Sequence, residues 1–193
     1  MFTMHTTGRF RLLPVTALLV VAAAAACDDP LALSPATFTN AVDTVRLYAL
    51  RGTDLVRPSG YDLPSNATVR TDQAAFDFAF DLDGRGTALI YPAGALGLTK
   101  EPGIVKMTAP FDSVISAPSS GYVDSVAVSI PPGTVFVARS RIFSLGCSFA
   151  GSLPRYGKFH VLSVDSVARS LTMEALVNQN CGYRDLRPGL PTA

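Results

Sequence analysis

Three cysteines, two histidines and a run of spaced aspartates are the residues of this 193-residue chain best suited to chemistry. Cys27, Cys147 and Cys181 can carry lipid, bind metal or pair as a disulfide. His160, in Gly157-Lys158-Phe159-His160-Val161, can serve as a base or a metal ligand, and the other histidine, His5, lies near the N-terminus. Asp81-Leu82-Asp83-Gly84-Arg85-Gly86 invites comparison with a calcium loop, but its glycine comes at the fourth position rather than the sixth. Pro92 stands where a bidentate glutamate is needed, so the stretch reads as a polar hairpin turn. Serine-based catalysis needs a base and an orienting acid near the nucleophile. The chain has no G-x-S-x-G and no S-x-x-K to supply a start. Glu101 and Glu174 are the only glutamates, and neither has a partner carboxylate at a spacing a glycosidase would use. The aspartates otherwise read as solvated groups on strand faces and turns. The residues therefore point away from an enzyme: no catalytic residue, cofactor or metal site is assigned.

The elements that position these groups begin with a leader, Arg9 to Cys27. Arg9 and Arg11 give a positive flank, and Leu12 to Ala26 give an apolar core of signal-peptide length. That core is shorter than the ~20 residues a membrane-spanning helix requires. It ends Ala24-Ala25-Ala26-Cys27, which resembles the lipobox of bacterial lipoproteins, with Ala24 where that family prefers leucine. The resemblance implies that the Cys27 thiol is joined to diacylglycerol and that cleavage leaves Cys27 as the new N-terminus. An ordinary secretory signal cut after Ala-x-Ala is the competing reading. On the lipoprotein reading, residues 1–26 are the signal peptide and Cys27 is the lipid attachment site. The membrane is then a partner through that anchor, and the protein belongs to the bacterial cell envelope, facing the periplasm or the cell exterior.

Removing residues 1–26 leaves 167 residues, enough for one domain with a proper core. Of 16 basic residues, Arg9 and Arg11 leave with the leader, while all 15 acidic ones remain, so the mature chain carries about −1. No basic stripe survives to hold phosphates, which excludes nucleic acid as a partner. With Cys27 assigned to lipid, Cys147 and Cys181 remain as an even pair in a compartment where a disulfide persists. Two free thiols or two metal ligands are the rival readings. Zinc is poorly supplied, because neither cysteine sits in a C-x-x-C pair and His160 is the one histidine left.

Asp28 to Ala41 carries two prolines and no periodicity, so residues 27–41 read as a flexible tether, reaching at most about 45 Å. From Val42 to Ala193 the pattern predicts a single all-β domain, an antiparallel sandwich or barrel-like fold of about eight to ten strands. Phe76 to Asp83 alternates most cleanly, with Phe76, Phe78, Phe80 and Leu82 on one face. Gly84-Arg85-Gly86 turns the chain into a returning strand at Thr87 to Tyr91. Val42 to Leu50, Ile104 to Thr108, Phe111 to Ser116, Tyr122 to Ser129, Thr134 to Arg139, Lys158 to Val167 and Ser170 to Asn178 are the other expected strands. The tail, Arg187 to Ala193, reads as frayed.

Phe76-Asp77-Phe78-Ala79-Phe80 resembles the "WDxAF" strand of HmuY-like lipoproteins. Thr134 to Ser140 followed by Tyr156 to Ser163 is similar to their "Y-x-V-R-T … G-x-Y-x-K-x-x-I" pair, and Leu171 to Val177 would close that run. The resemblance implies an all-β lipoprotein domain that captures haem at the cell surface without catalysis. Phe76 stands in place of the family's tryptophan, and only His160 remains where a pair of axial histidines is wanted. Met107, Met173 or Tyr156 could in principle ligate iron, and nothing in the spacing singles them out. Two expectations follow: a lipid-anchored envelope module whose role is non-catalytic binding or structure, with an envelope protein or a small hydrophobic ligand as partner; or a HmuY-like binder of haem or another small hydrophobic ligand.

Overall fold

β-Branched and aromatic residues alternating with small and polar ones from Val42 onward favour a pleated, two-faced surface over a helix. A computed structural model of the protein describes residues 33–142 and 153–192. Among them are ten strands. The first five are β1 (Val42–Tyr48), β2 (Gly60–Asp62), β3 (Ala67–Val69), β4 (Phe78–Leu82) and β5 (Ala88–Pro92). The rest are β6 (Gly103–Met107), β7 (Val128–Ser129), β8 (Val135–Arg139), β9 (Tyr156–Asp165) and β10 (Ser170–Asn178). They form two five-stranded antiparallel sheets, ordered β1-β10-β9-β8-β6 and β3-β2-β4-β5-β7. The architecture is a sandwich and not a closed barrel.

Alternate side chains from both sheets meet in one core containing Leu47, Phe80, Ile90, Phe136, Val161, Leu171 and Met173. Four rings fill its middle. Phe136 and Phe159 of one sheet stack at 5.1 Å, and Tyr61 and Phe78 of the other stack at 5.4 Å. The pairs interlock edge to face, Phe78 with Phe159 at 5.2 Å and Tyr61 with Phe159 at 5.2 Å. Offset and T-shaped contacts of this kind add ~0.5–1.5 kcal/mol each beyond the area they bury. These four rings, all fully buried or nearly so, occupy the middle of the sandwich.

Three strand expectations are corrected. Phe76 does not share a face with Phe78 and Phe80: the chain bends at Asp77, and Phe76 packs with Ala79 and Ala93 on the other side of the sheet. Phe111 to Ser116 begins as a 3-10 turn, Phe111–Ser113, rather than a strand. The buried Lys158 ammonium donates to Phe111 O (3.0 Å) and Val114 O (3.1 Å) and sits 4.5 Å over the Phe111 ring, drawing those carbonyls out of any ladder. Tyr122 to Ser129 is not one strand, because it crosses between sheets. Val123 bridges to Ile104 in one sheet, and Val128 pairs with Ile90 in the other. β2 and β3, at three residues each, were too short to show a period.

Candidate functional site

The end of the sandwich where the chain enters is built from two segments remote in sequence. The spacer expected over Asp28–Ala41 is docked from Leu33 on, and the tail expected to fray is docked with it. Asn180, buried, receives the Thr37 N–H (2.8 Å) and the Phe38 N–H (3.0 Å) on its Oδ1. Its Nδ2 donates back to Phe38 O at 2.7 Å and to Asn178 Oδ1 at 2.9 Å. Asn40 and Gly189 exchange both backbone hydrogen bonds, at 2.8 and 3.0 Å, and Asn40 Nδ2 donates to Asp185 O and Arg187 O. Tyr183 reaches Ser34 O through its hydroxyl, at 2.9 Å. Gly182, at φ +78°, lets Leu33 lie against bare backbone; a Cβ there would stand 2.9 Å from Leu33 Cδ2. Each such bond contributes ~1 kcal/mol net, and a buried group left unmatched costs ~1–3 kcal/mol, so the clasp holds or fails as a set.

Asp185 ties the tail to this clasp. It accepts Arg187 Nε and Nη2, both at 2.9 Å, and the Thr192 N–H at 3.0 Å. The Arg187 guanidinium, more than the Thr192 and Arg187 N–H groups, holds the Asp185 carboxyl well below the usual carboxylate range.

Beside the clasp lies a buried ionic network. Asp77 is 1% exposed and accepts three donors: the Leu63 N–H (2.8 Å), the Arg141 N–H (2.7 Å) and Arg141 Nη1 (3.2 Å). Arg141 Nη2 bonds Asp62 at 2.8 Å. Burial pushes the Asp77 carboxyl up to about 6, against the pull of the Arg141 N–H, its guanidinium and the Leu63 N–H. Arg155 donates to Pro64 O at 2.8 Å and brings Nη2 to 4.0 Å from Cys181 Sγ. Arg141 also lines an open cleft of about 360 Å³ whose other walls include Thr71, Phe76, Ala93 and Leu98.

The structure places the sequence-predicted residues apart from one another. Cys27, Cys147 and the leader lie outside the described residues. Cys181 is half-buried beside Pro154, whose carbonyl accepts the Gly182 N–H at 3.1 Å. His160 sits on β9 opposite Glu174 of β10, its Nδ1 3.1 Å from Glu174 Oε2 and its ring 6.2 Å from that of Phe111. It is not among the residues lining the cleft. The Asp81–Gly86 stretch is a hairpin turn: Asp83 Oδ1 accepts the Arg85 and Thr87 N–H groups, both at 2.8 Å. Asp81 is fully buried and bonded to Arg51 Nε at 2.6 Å, with Arg169 at 3.5 Å.

Reading the aspartates as solvated thus missed Asp77, Asp81 and Asp185, all buried. It also missed Asn40, Asn178 and Asn180. The one signal for the asparagines was Asn178-Gln179-Asn180 at a strand end, which as sequence denotes only a turn. Compared with protein-family models and with curated proteins, the chain matches none.

Proposed function

We propose that this protein is a non-catalytic module of the bacterial envelope, held to a membrane by lipid on Cys27 and serving in binding or structure. One observation carries the reading: the described chain is laced to its own C-terminal segment from Ser34 onward. Only Asp28–Ala32 separate that fold from the lipobox cysteine. A tie to the C-terminal segment so soon after the cleavage site suits display on a short leash. His160 bonds Glu174 through Nδ1 and does not line the cleft beside Arg141. The Cys147–Cys181 disulfide belongs to the same reading. The Ser140 N–H bonds Arg155 O at 2.9 Å, closing the mouth of the connection that carries Cys147, and Cys181 lies against that mouth at Pro154 and Arg155. Six or seven residues of chain reach Cys147 from either side.

Mass spectrometry of the native mature protein tests both sulfur assignments. The expected result is a chain starting at Cys27 with diacylglycerol mass, and a two-dalton gain on reduction. An unacylated chain starting at Met1 overturns the anchor, and alkylation of Cys181 without reductant overturns the bridge.

A second reading, capture of a small hydrophobic ligand, draws on the cleft of about 360 Å³ beside Phe76 and Leu98. Haem is the ligand the sequence resemblance suggests. Titration followed by the Soret band tests it: a shifted, saturable band that is lost on Leu98→Asp supports the cleft, and an unchanged spectrum removes haem.

A further inference from the structure

We propose that the entry end of the sandwich rests on the bilayer surface, with Phe38 and Leu190 set into the headgroup region. The inference depends on Cys27 being the lipid anchor and adds an orientation to it. From Cys27 to Leu33 is six peptide steps, at most about 20 Å of chain. The clasp prevents the leash from lengthening, since Thr37, Phe38 and Asn40 are each tied to the C-terminal segment. The end bearing Leu33 is therefore confined near the lipid.

That end is composed for an interface. Residues 33–42, LSPATFTNAV, carry no charged side chain, and Leu186–Thr192 carry one, Arg187. Phe38 is 51% exposed and Leu190 62%, on the two chains joined by the Asn40–Gly189 bridge. Val42 is exposed just beyond Asn40. Ile115 is exposed on the segment that pairs with Leu186. Asp185 is buried and matched by Arg187, which keeps half its side chain in solvent for a phosphate, and the exposed acid nearest this face is Asp43, at its rim beside Val42. The opposite end also exposes apolar side chains, Leu55, Val56 and Val167, but sets them among Arg51, Asp54, Arg57, Asp165 and Arg169. Chain length and charge together select the entry end.

The chain contains no tryptophan, so one introduced indole reports one place. The lipidated Phe38→Trp, Leu190→Trp and Val167→Trp proteins are each reconstituted in vesicles of phosphatidylethanolamine and phosphatidylglycerol, with and without brominated acyl chains. Phe38→Trp and Leu190→Trp are expected to shift to the blue and lose about half their emission to bromine, whereas Val167→Trp keeps its own. Vesicle flotation run alongside separates the two claims. Flotation without quenching at residues 38 and 190 overturns the orientation and leaves the anchor standing. Equal quenching at residue 167 overturns it too, as does a blue shift insensitive to bromine, which means that protein, a second copy or an envelope partner, covers this face. No flotation overturns anchor and orientation together.

Discussion

The two ends of the sandwich solve the problem of buried charge in different ways, and β4 touches both. Asp77, at its start, faces donors from segments far apart in sequence, Leu63 and Arg141, and Arg141 in turn binds Asp62. Asp81, four residues on, is equally buried, yet its main partner Arg51 keeps 74% of its side chain in water. The turns at that distal end are tied locally. Asp83 bonds Arg85 and Thr87, and Asp165 bonds Val167 and Ala168. At the entry end, by contrast, Asn180 holds residues 142 and 143 positions away. Long-range polar bonds close both ends, since Arg169 also reaches Arg51 O and Leu82 O. At the distal end, however, the arginines that make them stay partly in water, whereas Asn180 and Asp77 are buried. A buried group whose partners are also buried has no water to fall back on, so its loss costs more.

The sharpest test of that contrast is Asp77→Ala. It strands the Leu63 and Arg141 N–H groups and removes one of the two carboxylates holding Arg141. The expected loss is about 3 kcal/mol in denaturant unfolding. The same variant reads out pH. Because burial raises the Asp77 carboxyl to about 6, the folded state binds its proton more tightly than the unfolded chain does. Its contribution is then fully present below about pH 4. It is lost as pH rises through 6, by an amount on the order of 3 kcal/mol. Asp185, held low by Arg187, has the opposite sign: its contribution is present above the ordinary carboxylate range and is lost as pH falls. Stability is expected to peak between them, and Asp77→Ala to flatten the slope between pH 4 and 6. A variant that keeps the full slope would show that another group sets it.

Next in size is Asn180→Ala, which removes four side-chain hydrogen bonds, three of them joining the stem to the C-terminal segment. About 2 kcal/mol of local stability is expected to go. Hydrogen exchange should show it at the Thr37 and Phe38 amides, sped up by tens of fold, while β9 and β10 amides stay protected. Unchanged exchange at residues 37 and 38 would mean that Asn40 and Tyr183 suffice to hold the stem, and the entry end would be less cooperative than the distal comparison requires.

The all-β class, the β4–β5 hairpin and the long β9–β10 pair were legible because alternation at period two is a local property of the sequence. What was not legible depends on distance. Asn180 and Asn40 look like turn residues until the partner segment, about 140 residues away, is in place. Phe76 broke its alternation because Asp77 bends the chain toward Arg141, which no window around residue 76 contains. Phe111 to Ser116 left the strand pattern because Lys158, 47 residues on from Phe111, takes its carbonyl. The polar groups that close the fold carry no spacing of their own.

The smallest expected effect falls at the far end of β4. Asp81→Ala also deletes a fully buried carboxylate, and by burial alone it should match Asp77→Ala. Its partners decide otherwise. The Arg51 guanidinium returns to water it already occupies, and Arg169 still donates to Arg51 O (2.8 Å) and Leu82 O (3.2 Å). The backbone bonds lost are a long one from the Arg51 N–H (3.3 Å) and one from the neighbouring Leu82 N–H (2.9 Å). About 1 kcal/mol is expected from the lost buried acceptor, measured under the same denaturant and buffer as Asp77→Ala. Raising salt should weaken the wild-type Asp81–Arg51 pair while leaving the Asp77–Arg141 pair untouched, since screening acts on the exposed partner. If Asp81→Ala instead costs as much as Asp77→Ala, burial of the carboxylate governs both sites. The exposure of the arginine then ceases to matter, and the contrast between the two ends falls.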